Sequence, residues 1–75
     1  MSVAKIIEIS SRSESSFEDA IRQGVERATR SLRGVTSAWV KEQSIDIRDG
    51  EITGFRVNLM VPLVLSDEEE EDSEE

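Results

Sequence analysis

The chain has 75 residues with one tryptophan, two phenylalanines, no cysteine and no histidine. Such a length fits one domain with a modest core. Disulfides and histidine-held metals are excluded as staples, which leaves self-association as the natural source of further burial. The net charge of −8 is concentrated in residues 66–75, SDEEEEDSEE, which hold eight acids and no base; residues 1–65 carry nine acids and nine bases.

A basic nucleic-acid surface is therefore not indicated. No stretch reaches the roughly 20 apolar residues of a membrane span. Met1 to Ser10 has one lysine and no long apolar run, so no signal peptide is visible. The expectation is a cytoplasmic protein without nucleic-acid or membrane partners. It consists of a folded unit over residues 1–65 and an acidic, self-repelling and disordered tail over 66–75.

Residues 3–10, VAKIIEIS, read as a strand rich in β-branched side chains. Residues 11–14, SRSE, read as a polar linker. A helix follows from about Ser15 to Arg33. Phe17, Ala20, Ile21, Val25, Ala28 and Leu32 recur on one stripe of a 3.6-residue period. Gly24 falls inside that stripe, where a glycine costs about 1 kcal/mol against alanine, so a closely approaching sheet is expected there. Ser15 with Glu18 fits a capping box, Arg30 and Arg33 fall in the last turn, and Gly34 suits the left-handed C′ position.

The next strand is expected over Val35 to Ile47, with Ala38 and Val40 on one face and Ser37, Trp39, Lys41 and Gln43 on the other. Asp49-Gly50 between two strand patterns is a hairpin signal. The last strand, Ile52 to Leu65, places Phe55, Val57, Leu59, Val61, Leu63 and Leu65 on one face, toward the helix. Gly54, Arg56, Asn58, Met60 and Pro62 fall on the other. Pro62 donates no ladder hydrogen bond and belongs at an edge, at a bulge or where pairing has ended. The fold class is α+β, in β-α-β-β order. Its three-stranded antiparallel sheet, order 1-3-2, packs on one helix and leaves a sheet face and two edges for an assembly to cover.

In this order, VAKIIEIS, a serine-rich linker, SFEDAI, VERATRSLRGV, WVKEQ, the DG hairpin and FRVNLMV resemble the dodecins over residues 2–65. The resemblance implies a β-α-β-β fold, a hollow homododecamer of tetrahedral symmetry, and binding of a flavin, riboflavin or FMN, for buffering or storage. In flavin-binding dodecins a tryptophan near the start of the second strand stacks on the flavin, and a glutamine on the third strand hydrogen-bonds to it. Those positions are Ser37 and Arg56 here, and an aromatic ring stands instead at Trp39, so the expectation is weakened flavin binding and a small ligand that is a flavin or another aromatic or anionic molecule.

The ligand-binding candidates are thus Ser37, Trp39, Lys41, Gln43 and Arg56. Each has a structural alternative. Trp39 suits a stacking platform or a subunit interface. Arg56 suits an anionic ligand or a salt bridge to Glu42, Asp46 or a neighbouring chain. The alternative from another class is a calcium-binding or purely structural cage without an organic cofactor, since calcium-binding dodecin-like proteins are known. Glu14, Glu18, Asp46 and Asp49 are better placed for calcium than the tail Asp67–Glu75, which lacks the glycine and spaced ligands of an EF-hand. Without cysteine, histidine or a glycine-rich phosphate loop, the chain does not read as an enzyme.

Overall fold

The structure is a computed structural model that describes residues 3–65; the acidic tail lies outside the described residues. The elements are β1 (Val3–Ser13), α1 (Phe17–Ser31), β2 (Trp39–Arg48) and β3 (Glu51–Leu65). The sheet has the order β1-β3-β2 and is antiparallel throughout. Alternation along β3 sets its two faces. Val57, Leu59 and Val61 are each 1% exposed and lie under α1, which packs Ala20 and the partly buried Ile21 and Val25 against them.

The β1–β3 ladder runs unbroken from Val3↔Leu65 to Ser13↔Phe55. The first strand thus continues through Ser11–Ser13, which the sequence reading placed in a linker. The reason is steric: Ser11 and Ser13 continue the inward face of Ile7 and Ile9, and only a small side chain fits there. A Cβ on Gly24 would lie 2.8 Å from Leu59 Cδ1 and 3.2 Å from Ser11 Cβ. Gly24 therefore lets the sheet approach the helix axis, as its place in the stripe implied.

The helix caps differ from expectation by a residue or two. Ser16, not Ser15, is the N-cap; its backbone is extended and its hydroxyl accepts from the Asp19 amide at 2.9 Å. Ser15 instead donates its amide to the Ser13 hydroxyl, which in turn donates to Asp19 Oδ2 at 2.6 Å. This satisfies the buried Ser13 and draws the cap one residue along. The helix closes at Leu32, whose amide donates to the Ala28 carbonyl at 2.9 Å. Gly34 is left-handed, with φ 77°, but lies two residues beyond the cap rather than at C′.

The second strand begins at Trp39, not Val35. Val35 makes an isolated bridge to Leu63, and residues 36–38 lead from there to the sheet. Pro62 lies in the central strand opposite Ile6, beyond the last β2 pair at Trp39↔Met60, so regular pairing on the β2 side has already ended. Asp49 and Gly50 both have positive φ, 54° and 80°, between the paired Arg48 and Glu51. This is the two-residue type I′ turn that matches strand twist.

Gly24→Ala tests the helix–sheet approach. Helix propensity alone gains about 1 kcal/mol, whereas overpacking a filled core costs about 1–3 kcal/mol. The expected outcome is net destabilisation, read as a lower urea midpoint with an unchanged m-value.

Candidate functional site

The sheet face turned away from α1 is built from residues one step out of phase with the core. On β1 these are Glu8, Ser10 and Arg12, paired with Met60, Asn58 and Arg56. On β2, Trp39 pairs with Met60, and Glu42, Ser44 and Asp46 pair with Asn58, Arg56 and Gly54. The polar end of this face is cross-linked. Asp46 accepts from Arg12 Nε at 2.8 Å and from Arg56 Nε at 2.9 Å, one guanidinium on each carboxylate oxygen. Arg12 also donates to the Thr53 carbonyl at 3.1 Å. Its guanidinium lies over Gly54, where a Cβ would collide with Nη2 and come within 2.6 Å of Cζ. Glu8 accepts from Asn58 Nδ2 at 3.1 Å and meets Lys41 Nζ at 3.5 Å, while Ser10 donates to Asn58 Oδ1.

The hydrogen bond from Arg12, and then that from Arg56, hold the Asp46 carboxyl below the usual carboxylate range; the same bond raises Arg12. The hydroxyl of Ser13 and then the amide of Gln23 lower Asp19 in the same way.

On the helix side, an apolar cleft of about 300 Å³ opens between the second half of α1 and residues 35–40. Ile21, Val25, Val40, Leu59 and Val61 form its wall, and Ser37 and Trp39 stand at its margin. Trp39 is 49% exposed. It lies across from Met60 in the ladder and also borders the cleft, so it is shared between the two surfaces.

The residues singled out from sequence do not gather in one place. Ser37 and Trp39 meet at the cleft, although Ser37 lies ahead of the strand. Lys41 and Arg56 lie on the outer face, each committed to a carboxylate. Gln43 is a correction: an extra residue at Lys41 shifts the register, so Gln43 pairs with the inward-facing Val57 and leaves the face of Trp39. Glu14, Glu18, Asp46 and Asp49 do not converge; no group of three acids able to hold a metal occurs among the described residues. Asp46 is occupied by two arginines, and Glu14 lies 3.8 Å from Arg12. Sequence reasoning missed Arg12 and Glu8 as partners of these groups. The available signal was the period-2 series Glu8, Ser10, Arg12, hidden by reading Ser11–Ser13 as linker.

The family model Dodecin matches residues 3–66. The chain belongs to the dodecin family. An arginine-to-alanine variant of Thermus thermophilus dodecin is 30% identical, with a TM-score of 0.79, over 88% of this chain and 98% of that one. The Streptomyces coelicolor dodecin is 25% identical, with a TM-score of 0.79, over 87% and 93%. The calcium-chelating antigen calcium dodecin of Mycobacterium tuberculosis is 32% identical, with a TM-score of 0.74, over 85% and 91%. No curated protein matches the chain. No helix among the described residues is long and apolar enough to cross a membrane.

The lowered Asp46 pKa gives a signed pH test. A carboxylate depressed in the folded state stabilises fully above its unfolded value, about 3.8, and loses that contribution as pH falls through its folded value. Asp46→Asn should therefore lower the denaturation midpoint at pH 7, and the gap to the natural sequence should close as pH falls below that range. Paired urea titrations from neutral to acid pH provide the measurement.

Proposed function

We propose that this dodecin assembles into a hollow homododecameric shell that binds a small aromatic molecule for buffering or storage. It acts as a binding protein rather than an enzyme, in the cytoplasm, with itself and the small ligand as partners and no nucleic acid or membrane. The observation that carries this reading is the half-exposed Trp39 beside an apolar cleft of about 300 Å³, at the lower end of the volumes that take small ligands. Lys41 and Arg56 already face Glu8 and Asp46, which favours an uncharged ring over an anion and riboflavin over FMN. Ser37 and Arg56 stand where flavin-binding dodecins have a stacking tryptophan and a hydrogen-bonding glutamine. Stacking on an aromatic side chain is worth about 1–3 kcal/mol per base in nucleic-acid complexes, so its loss weakens flavin binding roughly tenfold to a hundredfold.

A second reading, calcium binding, is favoured by the likeness to the Mycobacterium tuberculosis calcium dodecin. Since no three acids converge among the described residues, such a site would draw ligands from more than one copy. Calorimetric titration with calcium tests it, a heat saturating at a defined stoichiometry per chain being the supporting result.

Native mass spectrometry should find a particle of about twelve times the 8.4 kDa chain; a stable monomer or dimer would overturn the shell. Fluorescence-quench titration should show weak riboflavin binding by the natural sequence. Ser37→Trp combined with Arg56→Gln should tighten it by roughly tenfold or more, because Arg12 still holds Asp46 in that variant. Tight binding by the natural sequence would assign the stacking role to Trp39.

A further inference from the structure

The described residues contain all nine bases of the chain. Arg12, Arg22, Lys41 and Arg56 form ion pairs with acids there. Lys5, Arg27, Arg30, Arg33 and Arg48 form none among the described residues, and all five are exposed. Four of these five lie in the half of the molecule in which β3 ends, because α1 runs on from Gly24, which faces Leu59, toward Val35, which bridges Leu63. Lys5 stands opposite Leu63, on the same face of β1 as the inward Ile7 and Ile9. Arg27 and Arg30 lie in the closing turns of α1. Arg33 precedes Gly34, whose Cβ position is 3.9 Å from the Val64 carbonyl, and Val35, which bridges Leu63. The last residues of β3 are thus flanked by Lys5 on one side and Arg33 on the other.

The same end is where the ten residues 66–75 begin, with eight acids directly after Leu65. The helix dipole accounts for Arg30 and, in part, for Arg33. It accounts for neither Arg27 nor Lys5. The tail carries no apolar residue, so the apolar cleft is no seat for it. Ten residues span up to about 33 Å when extended, more than the roughly 20 Å of strand from Leu65 back to Leu59, which lies under Gly24, one turn before Arg27.

We propose that the acidic tail folds back on its own copy and docks on the basic end formed by Lys5, Arg27, Arg30 and Arg33. The linkage is electrostatic and many-membered. Each exposed pair contributes little, but tethering at Leu65 gives the tail an effective concentration in the millimolar range. The bound tail covers a surface that would otherwise attract other polyanions, and salt releases it. This inference is independent of flavin or calcium binding.

The absence of cysteine permits a clean test on the full-length protein. Ser73→Cys carrying a nitroxide label preserves all tail charges. Its electron spin resonance spectrum is compared at about 0.01 M and about 1 M salt, where the screening length falls from about 30 Å to about 3 Å. The expected result is a correlation time several-fold longer at low salt. That difference should be lost when Arg27→Gln, Arg30→Gln and Arg33→Gln are combined. Equal mobility at both salt levels overturns the proposal without any change to the basic end. Restriction that survives the triple change places the tail elsewhere and also overturns it. Native mass spectrometry of the labelled protein reports assembly separately, so failure of the shell and failure of the tail contact remain distinguishable.

Discussion

The structure depends on a single strand having two incompatible faces. β3 pairs on both sides and presents Val57, Leu59 and Val61 to the helix with almost no exposure. Burying such a side chain is worth about 1.5–3 kcal/mol, so a slip of one residue would turn the whole apolar set outward. This fixes the register of β1 and β2 against β3, and with it the polar residues of the opposite face. The Arg12–Asp46–Arg56 cluster is assembled from three strands only because each strand is held in register by the buried side.

The irregularities of β2 decide what that register exposes. The extra residue at Lys41 sends Glu42 to the outer face and Gln43 to the helix side. A second irregularity at Asp46 allows Thr53 to donate its hydroxyl to the Asp46 carbonyl at 3.3 Å. Charged groups meet beside both irregularities: Lys41 reaches Glu8, and Asp46 sits between two arginines. Trp39 precedes both bulges and is left half-exposed at the boundary between a polar face and an apolar cleft.

The topology was legible in the sequence because it follows from strong periodic signals. The helix stripe, the β3 alternation and Asp49-Gly50 each admit one reading, and together they give the order β1-β3-β2. The boundaries were less legible because polar residues carry no periodic signal by themselves. Ser11 and Ser13 are inward positions occupied by small polar side chains: Ser11 is half-buried against Gly24, and Ser13 is buried with its hydroxyl donating to Asp19. The placement of Gln43 was hidden for a different reason: a bulge is a relation between two strands, and nothing in WVKEQ alone marks Lys41 as the extra residue. The contacts of Arg12 likewise require the third strand to be in place. Trp39 was legible as an exposed aromatic, but its share in the cleft depends on residues 36–38 leaving the strand pattern.

The outer margin of β1 is an unbroken run of eleven residues with a strand on one side only. A long, flat edge of that kind is a template for indiscriminate strand addition. In this chain Lys5, Glu8 and Arg12 recur at intervals of three and four along it, alternating in sign and falling on both faces. From Lys5 to Arg12 no run of more than two apolar residues lacks a flanking charge, so an unrelated strand laid along this margin meets a charge every three or four residues. Charges placed at such intervals blunt the edge against a plain apolar strand, the kind that seeds fibrils.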